Sequence, residues 1–272
     1  ANVLKYKQWR KAVQGYLASI AFVDDCVGRV IDALDKSPHR DRTVVVLWSD
    51  HGWHLGEKLH WRKFSLWEEA THNVLMFAGK GVPEGRRCAT PVGLIDIYPT
   101  LVELCGLTGD TAKNAKGRPL DGHSLAPFLR DPQTDQWDGP DAVLTALFRW
   151  ARKYDPAKQS YALRSSDWRY IRYSNGKEEL YDHRNDPHEW TNLASNPEFA
   201  TRLKAFRAQL AARLPGPSAN ADPAKTADEE WKDKYFGRHP GADTNQDGKL
   251  SWREYKVHKT ALDARKAKEQ QK

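Results

Sequence analysis

Cysteine occurs three times and methionine once in the 272 residues. Three thiols leave at least one unpaired within the chain, so no disulfide framework is implied and the redox compartment cannot be read from them. Long apolar runs are missing too. Nothing approaches the ~20 consecutive residues of a membrane helix, and no membrane span is expected. Basic residues outnumber acidic ones, 43 to 36, for a net charge of +7 and a pI near 9.2. Yet Lys and Arg are scattered, with no uninterrupted block and no zinc-finger or RNA-binding signature, which argues against nucleic acid. That charge favours anionic partners or is simply a basic solvated surface. Aromatics are abundant, with eleven Trp and ten Tyr; most read as packing residues and some as lining for a carbohydrate surface. At 39% hydrophobic and 29% charged, the chain is long enough for a core.

The stretch Thr43 to Lys63 concentrates the chemistry. Val44-Val45-Val46-Leu47-Trp48 reads as a buried strand, and it ends in Ser49-Asp50-His51-Gly52-Trp53-His54-Leu55-Gly56-Glu57 and then Trp61-Arg62-Lys63. Asp50 offers a hard carboxylate oxygen and His51 an imidazole nitrogen at a strand end, where open α/β sheets place their ligands. Gly52 lets the backbone turn away.

Around that stretch, apolar spacing predicts a long helix from Lys5 to Lys36, stopped at Ser37-Pro38, with strands at 43 to 49 and 74 to 78 and a helix at about 94 to 105 closed by Gly106. This order predicts an α/β architecture: a mainly parallel sheet flanked by helices. Cys26 and Cys105 read as small core residues. Beyond Gly122, short strands at 142 to 150, 161 to 164, 168 to 173 and 178 to 181, with Ser174-Asn175-Gly176-Lys177 as a hairpin turn, predict a small antiparallel subdomain over about 142 to 214, completed by a helix from Pro197 to Leu214. Residues 215 to 225 carry three prolines and read as a linker. Residues 226 to 272 read as a helical tail.

In that tail, Asp243-Thr244-Asn245-Gln246-Asp247-Gly248-Lys249-Leu250-Ser251-Trp252-Arg253-Glu254 fits the twelve-residue EF-hand loop position by position. Oxygen ligands would come from Asp243, Asn245 and Asp247, the Lys249 carbonyl, and bidentate Glu254, holding a Ca2+. There is one such loop, so a structural calcium site or an attachment module is expected rather than a switch.

Taken together, Ser49-Asp50-His51-Gly52-Trp53, Leu55-Gly56-Glu57, Lys63 and Glu69-Ala70-Thr71-His72 resemble the sulfatase family of the alkaline-phosphatase superfamily, in the branch of iduronate-2-sulfatase and choline sulfatase. Leu94 to Leu101, Glu179-Leu180-Tyr181-Asp182, Asp186-Pro187 and Glu189 to Leu193 extend the likeness over roughly the first 210 residues. The resemblance implies an alkaline-phosphatase-like fold and calcium-dependent hydrolysis of sulfate esters, with sulfated carbohydrates as partners. It makes Asp50 and His51 ligands of an active-site Ca2+, Lys63 the catalytic residue that contacts the sulfate, and Trp53 and His54 substrate contacts.

The family nucleophile, a formylglycine made within Cys/Ser-x-Pro-x-Arg, and the paired amino-terminal Asp residues are not in this sequence. None of Cys26, Cys88 and Cys105 has Pro two positions on. The chain therefore reads as the carboxyl-terminal portion of a sulfatase domain, inactive alone, whose missing amino-terminal half is a partner. A periplasmic or extracellular location follows from the resemblance. The alternatives are a phosphodiesterase or phosphonate monoester hydrolase of the same superfamily, and a non-catalytic calcium- or glycan-binding fragment.

Overall fold

A computed structural model describes residues 2–107, 119–148, 156–214, 234–244 and 250–269. The expected linker at 215–225 lies outside them. The chain forms two compact units, residues 1–148 with 158–213 and residues 149–157 with 214–272.

In the first unit a helical turn, α1 (Asn2–Lys5), precedes α2 (Trp9–Asp35). The predicted single helix is broken at Lys7, whose φ of +52° no continuing helix accommodates. No residue of α2 is buried. Val13, Tyr16, Val27, Ile31 and Leu34 are half-buried, while Leu17, Ile20, Val23 and Val30, on and beside the same face of the helix, are exposed. β1 (Val44–Trp48) pairs with β4 (Leu75–Gly79), Val46 opposite Phe77. α4 (Ile97–Leu104) ends at Gly106, which takes φ +61° as expected of a residue closing a helix. Cys105, expected in the core, is exposed there.

The expectation of a mainly parallel sheet is corrected: among the described residues all strand pairs are antiparallel. Parallel neighbours require a crossover element that returns the chain to the same end of the sheet. Between β1 and β4 the chain instead folds into the tiny hairpin β2 (His54–Leu55) and β3 (Trp61–Arg62) and one turn of helix, α3 (Glu68–Thr71), and comes back reversed. β1 is also less enclosed than predicted, since none of its residues is buried.

The antiparallel subdomain follows its predicted outline. After the short helix α5 (Ala126–Arg130), β5 (Val143–Leu147), β6 (Ser160–Arg164), β7 (Trp168–Arg172) and β8 (Glu178–Asp182) form one sheet in sequence order. Gly176, at φ +81°, makes the predicted turn between β7 and β8, bonding its N–H to the Tyr173 carbonyl at 2.9 Å. The two-residue period sorts the side chains. One face carries Leu163, Tyr170 and Leu180, buried with Leu203, Phe206 and Leu210 of α6 (Ala200–Arg213); the Tyr170 and Phe206 rings stack at 5.8 Å. The opposite face carries Ala162, Ile171 and Tyr181, and on it sits Leu66 from the loop between β1 and β4. Because both faces are covered, the strands read as nearly continuous buried runs.

In the second unit, α7 (234–238), a turn at Pro240–Ala242 and α8 (Trp252–Glu269) are described. Tyr235 meets the edge of Tyr255 at 4.8 Å and bonds the His258 ring nitrogen at 3.1 Å, and Ala242 and Leu250 are buried.

Candidate active site

At the end of β1 the Ser49 N–H bonds the Val74 carbonyl, at 3.3 Å, and the Ser49 hydroxyl donates to the His51 carbonyl at 2.8 Å, turning the chain. Gly52 then passes directly beneath α3: its N–H donates to the Ala70 carbonyl at 2.9 Å, and a Cβ there would lie 2.0 Å from the Glu69 carbonyl oxygen. Only glycine fits so close an approach. Asp50 projects outward with its side chain 79% exposed, its Oδ1 3.5 Å from His51 Nε2. His51 Nδ1 lies 2.7 Å from the Gly52 carbonyl, so it carries the proton and leaves Nε2 with its lone pair. A carboxylate oxygen and the second imidazole nitrogen are thus neighbours at the strand end, donor types that a cation can use. Trp53 holds the imidazole in place, stacked between His51 and Tyr16 with both ring distances at 6.2 Å.

His54, expected to touch substrate, is corrected to an internal residue. It is fully buried, bonded through Nε2 to Ser65 Oγ at 2.6 Å, and packed edge-on against His60 and Trp67. Burial, aided by the neighbouring His60, pushes its pKa down to about 4, so it is neutral near pH 7. Glu57 closes the same loop by accepting the Leu55 N–H at 2.6 Å. Lys63 stands half-buried beside Phe64, its ammonium 6.0 Å from that ring. No hydrogen bond or ion pair joins Lys63 to Asp50 or His51.

Sequence reasoning missed the network behind the loop. Arg169 on β7, 1% exposed, bonds Glu68 of α3, Glu189 and the Leu66 carbonyl. Arg164 reaches Glu68 at 3.0 Å and His183 Nδ1 at 3.0 Å, while His183 Nε2 lies 2.9 Å from Glu189 Oε1. Glu189 also accepts the Glu68 N–H at 3.0 Å. Burial pushes the Glu68 carboxyl up, but the Arg169 charge and the bonds from both arginines override it and hold the pKa at about 2. Glu68, His183 and Glu189 offer three ligand atoms within 4.8 Å of one another. They do not suit a metal. Two guanidinium groups already balance the two carboxylates, and both His183 nitrogens are engaged, so an added cation would meet like charge in a dry site. The cluster fastens the loop to the sheet.

In the second unit Asp243 and Glu254 of the expected calcium loop are described, whereas Asn245, Asp247 and Lys249 lie outside the described residues. Glu254 is 7% exposed and folds both oxygens inward: Oε1 accepts from the Thr244 N–H at 3.0 Å and Oε2 from the Ser251 N–H at 2.9 Å. With the Glu254 N–H 3.3 Å from Ser251 Oγ, this is also a capping box at the start of α8.

The Asp50–His51 strand end thus stands above a loop clamped to a small antiparallel sheet. The chain belongs to the sulfatase family: residues 3–107 match the family described as Sulfatase, and residues 56–214, more than half of the chain, match the one described as N-sulphoglucosamine sulphohydrolase, C-terminal. It is 39% identical over 203 residues to a "Sulfatase" of Formosa agariphila, covering 75% of this chain and 36% of that protein. It is 34% identical to the "Choline-sulfatase" of Rhizobium meliloti, covering 75% and 38%. Among solved structures, the phosphonate monoester hydrolase of Agrobacterium radiobacter superposes with a TM-score of 0.61 at 27% identity, over 71% of this chain and 39% of that one. The chain thus spans little more than a third of the length of the curated relatives it matches.

Proposed function

We propose that this chain is the part of a calcium-dependent sulfatase that supplies one side of the metal site, through Asp50 and His51, and a sulfate-contacting lysine, Lys63. The observation that carries the reading is the pair of lone-pair donors, Asp50 Oδ1 and His51 Nε2, converging 3.5 Å apart at the end of β1 in a chain of this family. A bound Ca2+ would neutralise sulfate oxygens as the ester is cleaved. His51 would present its Nε2 to that ion because the Gly52 carbonyl holds the Nδ1 proton. The Lys63 ammonium would add fixed positive charge where the sulfate oxygens sit. Trp53 would orient the imidazole and offer its remaining edge to substrate. The nucleophile and the paired Asp residues belong to a part of the domain not contained in these 272 residues, consistent with the fraction of each relative that is matched.

A sulfated carbohydrate is the substrate class proposed, supported by the N-sulphoglucosamine sulphohydrolase match and the net charge of +7. A periplasmic or extracellular location goes with that substrate. Similarity to a phosphonate monoester hydrolase supports a second reading, hydrolysis of phosphonate or phosphodiester substrates. The deciding experiment compares the sulfate, phosphonate monoester and phosphodiester of one phenol, with the chain alone and with a longer protein that adds the nucleophile-bearing half. The longer protein is expected to prefer the sulfate, and the 272-residue chain to be inactive on all three. A dominant phosphodiester rate would replace the sulfatase reading with the second.

We further propose a Ca2+ in the loop Asp243 to Glu254, including Asn245, Asp247 and the Lys249 carbonyl. The inward, nearly buried carboxylate of Glu254 supports it. Glu254→Gln keeps one acceptor for the capping box but removes the charge, so it should weaken calcium binding measured by calorimetry about tenfold or more. Equal heats for the two proteins at millimolar calcium would reduce Glu254 to a helix cap.

A further inference from the structure

The loop that presents Lys63 is held in an unfavourable shape. Lys58, Leu59 and Arg62 take φ of +49°, +57° and +75°, and Gly56 takes +120°. Side chains larger than glycine rarely adopt the left-handed region, so contacts outside these residues must hold it. Gly56 is pressed against Trp9, where a Cβ would lie 2.1 Å from the indole. The other restraint is Lys58. Its Nζ donates to the carbonyl of Glu189 and lies 3.5 Å from the Tyr181 hydroxyl. It also sits over the rings of Tyr181, Trp67 and Trp190 at 4.6, 4.8 and 5.9 Å. Among the described residues no carboxylate pairs with it directly. Burial lowers its pKa, and the more distant charges of Glu189, Glu179, Glu69 and Asp186 oppose that.

An ammonium enclosed by three aromatic faces and a carbonyl is held at a point, and all of those partners except Trp67 belong to the antiparallel subdomain. Glu189 is itself left-handed, at φ +59°, and turns its carbonyl toward Lys58 while its carboxylate stays with Arg169. Lys58 therefore connects the loop to the buried ion network by a second route, separate from Glu68. We propose that Lys58 is a positioning residue: its ammonium, caged by Trp67, Tyr181 and Trp190 and bonded to the Glu189 carbonyl, fixes the strained loop that presents Lys63. This rests on the reading of Lys63 as the sulfate contact.

Methionine at position 58 keeps most of the volume and removes the charge, which separates the cage from simple packing. In the 272-residue chain, Lys58→Met should make amides 56–63 exchange with deuterium about ten- to thirtyfold faster while the amides of β5–β8 stay protected. The wild type should also show one lysine ε-methylene proton resonance displaced upfield by the rings, absent from the variant. Unchanged exchange at 56–63, or equal acceleration throughout β5–β8, overturns the proposal. So does a wild-type spectrum with no displaced lysine resonance, a result that needs no variant to fold. A Lys63→Met control leaves the exchange pattern intact. If Lys63 proved irrelevant to turnover in the longer protein, the function reading would fall while the exchange result stood, so the two failures are distinguishable.

Discussion

Arg169→Met is expected to destabilise the first unit by about 3–5 kcal/mol, the range for removing one partner from a buried ion pair. Solvent screening offers no relief, because Arg169 is 1% exposed and Glu189 is fully buried. The loss arises chiefly from leaving the buried Glu189 carboxylate without its guanidinium, while Glu68 keeps only one guanidinium, that of Arg164. Domain stabilities lie at about 5–15 kcal/mol, so chemical denaturation should show a large shift of the midpoint. A change below about 1 kcal/mol would mean that the network is not what fastens the loop. The pH dependence supplies a second check. The Glu68 pKa is depressed from 4.5 to about 2 in the folded chain, so its contribution is present above about pH 4.5 and is lost as pH falls toward 2. Arg169→Met should flatten the stability profile across that window.

Lys63→Ala, in the longer protein with its nucleophile, is expected to lower turnover about 10²- to 10³-fold, the usual cost of removing one charge-stabilising donor from a transition state. Its effect on unfolding should be small, because Lys63 is only half-buried and forms no ion pair among the described residues. Asp50→Asn should act differently: the amide still offers an oxygen but loses charge, so added calcium should restore part of the rate. Steady-state assays across a calcium titration separate the two variants. Near-wild-type turnover in Lys63→Ala would make the lysine an ordinary solvated residue.

The antiparallel subdomain was legible because its signals are local. Buried runs of strand-forming residues and the Asn175-Gly176 turn set β6, β7 and β8 within a residue or so of their observed ends. The position of Gly52 was legible for the same reason, since it follows the adjacent Asp50 and His51 at the strand end and the close approach of α3 requires a glycine there. The ion network was not, since Glu68, Arg164, Arg169, His183 and Glu189 come from four separated segments and meet only after the sheet has formed. One trace of it was available: Arg169 lies between Trp168 and Tyr170 in an otherwise buried strand, and a buried arginine requires partners. His54 was misread because its place beside the metal motif suggested exposure, whereas the hairpin β2–β3 turns it inward to Ser65. The direction of β1 relative to β4 depended on how the intervening chain returned, which an apolar pattern does not encode.

The exposed part of the apolar face of α2, with Leu17, Ile20, Val23 and Val30 between 50 and 68% exposed, has a practical consequence. Left uncovered, that surface would favour retention by chaperones or insoluble deposits, so the yield of the polypeptide would depend on what it is co-expressed with.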